Sequence, residues 1–549
     1  MSLDVCSGYQ IVPPCQRIGK IRTRVGLFTA VERVSLDLAK LTCQILHLAC
    51  GVVISFPFPC SFMQTHEAAC GRTQMRAVQP WHVFALLTTT LQEHVADCAI
   101  IRSEQPSLTC SQFARALSMN VSITDMADSP FSEPLIIIGG GLVGLTLAQA
   151  LNKAGILCAV YERDDAPEIE KGGGWAITVH WALQALKDCL AADVFSGLTD
   201  IQVDREQGIN DTGRFLFLDL ATAQPKYEIP PSKRMRVNRQ LLRQLLTQDI
   251  DIRYDKRVAH LEDSPGAQQA TVHFEDSTSA TSKLIVACDG SNSTMRRLIF
   301  GGESAESQLN QLPVRALGVT IRLTEREVIP LRQIDPLLFQ GGHPETGTFM
   351  WYSTVSTPSL NRSDATDNPF YEGQVIISWP HKSSPADDVP SGNEQRRQLM
   401  QQKAASFHDN LRTAVDRIPE GTTIKDIRLA DWPTKPWPNF NGKVTLCGDA
   451  AHAMTMYRGE AFNHGVTDAA NLAKLLIKVR DKELELKEAV RQYEDEVVSR
   501  THEAVLLSRQ ACLDAHDLQN LSPDSPLVSK RARILTAAKD VSAEGIGHA

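Results

Sequence analysis

Three glycines and one acid stand at a spacing that suits the binding of a dinucleotide. An apolar run, Leu135 to Ile138, leads directly into Gly139, Gly141 and Gly144, which fit the pattern GxGxxG. In that pattern the first glycine permits a tight turn, the second lets a pyrophosphate approach the backbone, and the third lets helix and strand pack closely. Glu162 ends a second apolar run, where a carboxylate can accept hydrogen bonds from a ribose. The spacing therefore predicts a dinucleotide site.

Two further apolar runs each lead into an acid that lies next to a glycine. One run precedes Asp289 and Gly290, and the run from Val444 to Leu446 precedes Asp449. An Asp-Gly turn by itself occurs in many sheet proteins for local reasons. At the end of the last run, a carboxylate can hold a second sugar-like chain, and the start of the helix after Gly459 points at whatever lies beyond.

Strand-like and helix-like segments alternate around these motifs, as in an α/β protein with a parallel sheet. Short β-like runs in the middle of the chain predict a separate sheet that is inserted into the nucleotide-binding sheet. The expected elements are helices at Leu142–Ala154, His180–Leu190 and Asn238–Leu246, strands at Leu157–Tyr161, Leu284–Ala287, Val314–Leu323, Phe349–Ser353, Val375–Trp379 and Val444–Leu446, a surface loop at Thr357–Asn368, a long helix after Gly459 and a charged helix from about Glu483 to Arg509.

The bulk composition excludes some classes of partner. The chain has 549 residues, a formal net charge of −8, and 22% charged and 43% hydrophobic residues. It therefore offers no basic surplus for nucleic acid, and we expect no such partner. The cysteines after residue 125 are scattered without metal-ligand spacing, so we expect reduced thiols, no metal site and a cytoplasmic location.

The first part of the chain differs from the rest. Residues 1 to about 125 carry no motif that we can connect with chemistry, and recognisable strand and helix patterns begin abruptly after Met126. We interpret them as an extension that the catalytic part does not need. Residues 41–65 lack charged side chains and are long enough to cross a bilayer of roughly 30 Å. Because Pro57 and Pro59 lie within them, membrane association is the less favoured interpretation.

In their order along the chain, the three motifs resemble those of the single-component FAD-dependent aromatic hydroxylases. This is the family of p-hydroxybenzoate and salicylate hydroxylases, and the resemblance is strongest to its members in fungal secondary metabolism. It runs from about Pro134 to about His516. It implies an α/β fold with a Rossmann-like FAD-binding domain, an inserted mainly β substrate domain and a C-terminal helical segment.

The resemblance also implies an activity and a division of the chain. The enzyme would use NADPH or NADH and O2 to hydroxylate or epoxidise a small aromatic or polyketide-like metabolite, with Baeyer–Villiger insertion also open. The implied segments are the FAD-binding parts 126–200, 231–300 and 426–480, the substrate-domain parts 201–230 and 301–425, the extension 1–125 and a C-terminal helical region 481–549.

Individual residues take roles from the same resemblance. Arg239 matches an arginine near the pyrophosphate, Asp289 and Gly290 match a motif linked to both FAD and the nicotinamide, and Asp449 matches the aspartate that binds the ribityl chain. Ala461 to Asn463 match the segment that faces the isoalloxazine ring. The implied FAD-binding residues are Gly139, Gly141, Gly144, Glu162, Gly174, Arg239, Asp289, Gly290, Asp449, Ala461, Phe462 and Asn463.

The chain departs from the family pattern close to the flavin ring. Met456 stands where relatives commonly have proline, and Glu460-Ala461 stands where they have Gln-Gly. For the substrate, the candidates are Arg315 and Tyr352, which lie on two β-like runs of the inserted sheet. A guanidinium there would hold a phenolate in place.

Two other classes of protein remain as alternatives. A flavin halogenase would be a second enzyme, but Trp432-Pro433 and Trp437-Pro438 do not match its WxWxIP motif. A non-catalytic binding protein on the same fold, like the GDP-dissociation inhibitors, could keep the glycine motif. Such a protein need not keep an acid at Asp449, so a bound flavin would distinguish it from an enzyme.

Overall fold

The computed structural model describes residues 130–165, 174–264 and 266–529. The expectations for residues 1–125, including the segment 41–65, lie outside the described residues. Within those that are described, no helix has the length and apolar character needed to cross a membrane.

The strands take up the apolar runs that the sequence analysis identified, together with shorter ones. In chain order they are β1 (Leu135–Ile138), β2 (Cys158–Tyr161), β3 (Ala176–Val179), β4 (Phe215–Asp219), β5 (Gln224–Ile229), β6 (Met235–Asn238), β7 (Ile252–Arg253), β8 (Val258–Glu262), β9 (Ala270–Phe274), β10 (Ser279–Ser282), β11 (Ile285–Ala287), β12 (Asn310–Gln311), β13 (Val314–Leu323), β14 (Leu338–Gly342), β15 (Phe349–Ser356), β16 (Tyr371–Pro380), β17 (Lys425–Asp426), β18 (Ala430–Asp431) and β19 (Val444–Leu446).

The helices lie between and after these strands. They are α1 (Leu142–Lys153), α2 (Leu183–Cys189), α3 (Ala192–Gly197), α4 (Arg205–Asn210), α5 (Arg239–Leu246), α6 (Thr294–Ile299), α7 (Glu325–Ile334), α8 (Pro358–Asn361), α9 (Asn393–Lys403), α10 (Asp409–Asp416), α11 (Asp449–His452), α12 (Ala461–Arg480) and α13 (Leu486–Asp514), with single turns of 3-10 helix at Ser363–Ala365, Pro385–Asp387 and Met456–Arg458.

One sheet is parallel and has the strand order β19-β11-β1-β2-β7. In chain order this is the 5-4-1-2-3 arrangement of nucleotide-binding sheets. Strands β1, β11 and β19 are buried along their whole length, which explains why they are continuous apolar runs rather than alternating ones. The carboxyl ends of parallel strands share one edge of the sheet, so the three sequence motifs meet there.

The second large sheet has seven strands in the order β17-β13-β16-β15-β14-β4-β5. Only the β14–β4 pair is parallel. One face packs against α7, α9 and α10 through side chains such as Leu331, Met400 and Leu411. The opposite face packs against Tyr457 and against the end of α13 at Ala511. Both faces of this sheet are therefore covered.

The structure departs from the sequence expectations at the ends of elements and in elements that the sequence analysis did not predict, such as α7, α9 and α10. Strands β13 and β19 have the predicted bounds, whereas β16 extends the predicted Val375–Trp379 at both ends and α13 ends five residues after the expected Arg509. The expected loop at Thr357–Asn368 contains the short helix α8, because Pro358 stands at its first turn, where a missing N–H costs nothing.

Candidate active site

The glycine loop after β1 uses each of its three glycines differently. Gly139 has φ +107°, and a Cβ added there would lie 2.5 Å from the carbonyl oxygen of Cys288. A Cβ on Gly144 would lie 2.1 Å from the carbonyl oxygen of Gly139, so the helix packs directly on the strand. A Cβ on Gly141 would meet nothing within 4 Å. The space over Gly141 is therefore open, and it faces the start of α1, which has no side-chain cap for its N–H groups.

Glu162 supports this loop from the end of β2. Its Oε2 accepts a hydrogen bond of 2.6 Å from the backbone N–H of Gly140, and its Oε1 accepts one of 3.0 Å from the backbone N–H of Asp164. Arg243 donates to the carbonyl oxygen of Gly140 at 2.9 Å and lies 3.8 Å from the same carboxylate. Glu162 thus fixes the loop, and each of its oxygens still has a lone pair for a ribose hydroxyl.

The side chain of Asp289, which follows β11, forms its hydrogen bonds within its own loop. It accepts a hydrogen bond of 2.5 Å from the hydroxyl of Ser293 and one of 3.0 Å from the backbone N–H of Met295. Burial raises the pKa of this carboxyl group above its ordinary value. The next residue, Gly290, has φ +81° and open space where a Cβ would be. The backbone at Gly290, rather than the Asp289 side chain, is therefore the part of this motif that is open to a ligand.

Asp449 is the first residue of α11, and no hydrogen-bond donor to its carboxylate is found among the described residues. Burial raises its pKa above the ordinary value, and His452, Arg239 and Arg296 oppose that increase. The backbone N–H of Arg239 donates to the carbonyl oxygen of Trp175 at 2.9 Å, which places α5 beside the segment before β3. The acid predicted to hold the ribityl chain thus lies near Arg239, Arg296 and a second acid, Asp468, and it accepts no hydrogen bond from the described residues.

A buried charge network that the sequence analysis missed lies directly behind Asp449. Asp468 of α12 accepts hydrogen bonds from the backbone N–H of Gly448 at 2.8 Å, from His452 Nε2 at 2.7 Å and from Arg500 Nη2 at 2.6 Å. Although burial opposes its charge, His452 and Arg500 hold the pKa of Asp468 below its ordinary value. The sequence signal was an acid four residues before the buried Leu472, on the apolar side of a helix.

The turn before α12 is shaped by Gly459 and closed by Asn463. Gly459 has φ +64°, and a Cβ added there would meet nothing within 4 Å. Asn463 accepts from the backbone N–H of His180 at 2.9 Å and donates to the carbonyl oxygen of Thr178 at 3.1 Å. Its side chain therefore ties α12 to the end of β3. Ala461 and Phe462 are half-buried at the start of the same helix.

A cleft lies between this turn, the end of β3 and the seven-stranded sheet. Gly174, just before β3, accepts a hydrogen bond of 3.2 Å from Thr320 of β13, which links the segment before β3 to the seven-stranded sheet. The residues that line the cleft are Thr178, His180, Gly213, Phe215, Ile229, Pro230, Ser232, Arg234, Leu338, Trp351, Tyr457, Arg458 and Gly459.

The structure does not bring Arg315 or Tyr352 to this cleft. Tyr352 is 1% exposed and packs on Phe339 in the core on the opposite face of the sheet. Arg315 is paired with Trp379 of β16, which belongs to that same opposite core. Successive side chains of a strand point to opposite faces, so the neighbour Trp351 is the aromatic residue that lines the cleft. The expectation that Arg315 and Tyr352 hold the substrate is corrected accordingly.

A parallel sheet with the strand order of nucleotide-binding sheets, together with a second sheet beside a cleft, defines an α/β protein of the nucleotide-binding class. The fold is similar to HpxO of Klebsiella pneumoniae, solved with FAD and uric acid, with a TM-score of 0.55, 21% identity, and 76% of this chain and 98% of that chain covered. It is also similar to 2,6-dihydroxypyridine-3-hydroxylase of Arthrobacter nicotinovorans, with a TM-score of 0.56, 17% identity, and 73% and 97% covered. The predicted fold class is confirmed.

The family follows from the sequence comparisons. The FAD binding domain family model matches residues 133–505. The FAD-dependent monooxygenase dbaB of Emericella nidulans is 50% identical over 75% of this chain and 96% of that protein. A probable FAD-dependent monooxygenase of Arthroderma benhamiae is 41% identical over 72% of this chain and 95% of that protein. The chain therefore belongs to the FAD-dependent monooxygenases, of the type found in fungal secondary metabolism, and it is an FAD-binding oxidoreductase as predicted.

Proposed function

We propose that this monooxygenase uses NADPH or NADH and O2 to insert one oxygen atom into a small aromatic or polyketide-like metabolite, by hydroxylation or epoxidation. The observation that carries the proposal is that a residue of the segment expected to face the flavin contacts two cleft residues. Asn463 accepts a hydrogen bond from the backbone N–H of His180 and donates one to the carbonyl oxygen of Gly459, and both of these residues line the cleft. A cofactor that spans the edge would thus meet a substrate in the cleft.

The residues at the edge fit FAD. The open space over Gly141 and the uncapped start of α1 suit its pyrophosphate, and Glu162 suits the ribose of its adenosine half. Asp449 offers an acceptor without a donor in the described part of the chain, which suits the hydroxyl groups of a ribityl chain. The remaining FAD-binding residues proposed here are those of the sequence analysis, with the backbone of Gly290 in place of the Asp289 side chain.

Bound FAD supplies the redox chemistry, since it can take two electrons from a reduced nicotinamide and use them to activate O2. The chain contributes position and electrostatics. The 20-residue helix α12 starts at the cleft, and the partial positive charge of its N-terminus stabilises negative charge there. The apolar walls at Phe215, Leu338 and Trp351 exclude water from the reacting atoms.

The nicotinamide is expected to dock transiently. The sequence has a single glycine-rich βαβ fingerprint, at Gly139 to Gly144, and a reductase that holds two dinucleotides at once needs a second one.

The test starts from the absorption spectrum of the purified full chain. We then measure NADPH and NADH oxidation with a panel of phenols and polyketides under ¹⁸O2. The proposal predicts a flavin spectrum, oxidation stimulated by at least one compound of the panel, and one ¹⁸O atom in its product. A flavin-containing protein whose oxidation yields only unlabelled products would overturn it.

A further inference from the structure

Arg236 of β6 is a buried guanidinium that is only partly satisfied. The residue is 4% exposed. Its Nη1 donates a hydrogen bond of 2.7 Å to the hydroxyl of Thr178. Its Nε and Nη2 are buried and have no hydrogen-bond partner among the described residues. A buried donor on a charged group that lacks a partner costs free energy, so its presence calls for an explanation.

The position of Arg236 places it in the wall of the cleft. Arg236 and Thr178 are direct neighbours across the β3–β6 pair, and the hydrogen bond between them puts both side chains on one face. Thr178 lines the cleft. The guanidinium carbon also lies 5.9 Å from the ring centre of Trp351, which lines the cleft as well. Two cleft residues thus contact Arg236 from two different elements.

No carboxylate of the described chain forms an ion pair with Arg236. Asp335 is the acid that acts on it, but this acid accepts hydrogen bonds from the backbone N–H groups of Leu337 and Leu338 at 2.9 and 3.0 Å. The nearby Arg234 is paired with Asp211 at 2.7 Å. Burial, together with the charge of Arg234, lowers the pKa of Arg236 to about 9. The site therefore disfavours the cation that it contains and would favour an added anion.

A second unsatisfied polar group lies on the same side. Gln340 of β14 is fully buried, and neither its Nε2 nor its Oε1 has a hydrogen-bond partner among the described residues. It is the direct cross-strand neighbour of Trp351. Side chains at directly paired positions share a face, so Gln340 is on the cleft face of the sheet. Arg236 of β6 and Gln340 of β14 thus both place unsatisfied donor groups near Trp351.

We propose that Arg236, assisted by Gln340, anchors the substrate by binding one of its acidic hydroxyl groups. The inference rests on the proposed function and adds the residue that anchors the substrate. A guanidinium donates to a phenolate oxygen through charge-assisted hydrogen bonds. The phenolate form of an aromatic ring is also the more nucleophilic one, which favours attack on an electrophilic oxygen atom.

The test measures binding by calorimetry on the full chain loaded with FAD. The probe is 2,4-dihydroxyacetophenone, and its control is 2,4-dimethoxyacetophenone, which has the same ring but no ionisable hydroxyl group. The variants are Arg236→Met, which keeps the length of the side chain without charge, and Arg236→Lys, which keeps the charge without the planar fork. Arg214→Met, at an exposed position, is the control for the loss of one positive charge.

We expect the parent and Arg214→Met to bind the dihydroxy probe at least about tenfold more tightly than the dimethoxy one. Arg236→Met should bind the dihydroxy probe at least about tenfold more weakly than the parent, and Arg236→Lys should fall between them. FAD content should stay equal and the melting temperature of Arg236→Met should not fall, because an unpaired buried charge is removed.

Three results would overturn the inference. The first is equal binding of the dihydroxy probe by the parent and Arg236→Met. The second is loss of FAD from Arg236→Met, which would make the flavin the partner of the guanidinium. The third is a parent that does not prefer the dihydroxy probe. Failure of the proposed function would show separately, as a parent without FAD or without nicotinamide oxidation.

Discussion

Two buried arginines, Arg500 and Arg236, have opposite surroundings, and the contrast separates the region behind the dinucleotide edge from the region that faces the cleft. Arg500 is 6% exposed and donates to Asp468, to Glu496 and to His464. Burial opposes its charge, but Asp468 and Glu496 raise its pKa above the ordinary value. Arg236 is similarly buried, and among the described residues it donates a hydrogen bond only to the hydroxyl of Thr178.

The difference shows where the partner of a buried polar group comes from. Behind the edge, the partners belong to the chain, and the contacts support the position of Gly448 and Asp449. Facing the cleft, the partners are expected from a ligand, so the same group lowers the stability of the empty protein. The comparison extends to the glycines, since Gly144 packs against the chain and Gly141 faces open space. The predictions below test this division.

The largest effect is expected for Arg500→Met. The substitution leaves the buried Asp468 with hydrogen bonds only from His452 and from the backbone of Gly448 among the described residues, and breaking a buried ion pair costs about 3–5 kcal/mol. The free energy of unfolding, measured in urea, should fall by this amount. Arg491→Met on the same helix removes an exposed pair and should change the stability within error. Equal stability of both variants would contradict a structural role for the network.

Gly144→Ala and Gly141→Ala should differ in the same way at the glycine loop. The first places a methyl group 2.1 Å from a backbone oxygen and should lower the free energy of unfolding of the FAD-free protein by about 1–3 kcal/mol. The second meets no atom of the chain and should leave that stability unchanged while it weakens FAD binding. Thermal melting without FAD and a flavin titration measure both effects. A destabilised Gly141→Ala would show that the space over Gly141 is not open.

Glu494 is intermediate between Arg500 and Arg236, because it is largely buried and its hydrogen-bond donors are neutral. Asn439 and Thr445 donate to it at 2.7 and 2.8 Å, yet burial raises its pKa from 4.5 to about 7. The folded state thus binds the proton more tightly than the unfolded chain, and stability falls as the pH rises from about 4.5 through 7.

Glu494→Gln removes this dependence. The variant should equal the parent at pH 4 and exceed its free energy of unfolding by about 1–2 kcal/mol at pH 8, after allowance for partial solvent screening. Glu503→Gln, at an exposed position of the same helix, is the control. If the stability difference between Glu494→Gln and the parent is the same at both pH values, the pKa of Glu494 is not raised.

The candidate FAD-binding residues at the edge of the parallel sheet could be predicted because they lie in short, local sequence patterns. GxGxxG, the acid after β2 and the strand at Val444–Leu446 are short patterns whose backbone consequences hold in any sequence. The open space over Gly141 and the tight packing at Gly144 agree with the roles that the sequence assigned to them. The side chains of Asp289 and Asn463 differ, since their hydrogen bonds to the chain itself could not be distinguished from ligand contacts.

The residues that line the cleft could not be predicted because they come from elements that are far apart in the sequence. Period two identifies two faces of a strand, but β15 is buried on both, so neither Trp351 nor Tyr352 is marked as the one that faces a ligand. Arg236 lies three residues before Arg239, so the sequence does not separate it from the motif that is expected to bind the FAD pyrophosphate. Its unsatisfied nitrogens become visible only when β6 is placed beside β3 and Trp351.

The central claim is that a bound ligand supplies the missing hydrogen-bond partners of the polar groups at the sheet edge and in the cleft. Substitution of Asp449 tests this claim most directly. We measure FAD affinity and the melting temperature of the FAD-free protein for the parent, Asp449→Ala and the exposed control Asp495→Ala. Asp449→Ala should bind FAD at least about tenfold more weakly while its FAD-free melting temperature stays equal or rises, because the substitution removes a half-buried acid that accepts no hydrogen bond from the described residues. Unchanged FAD affinity in Asp449→Ala would contradict the account.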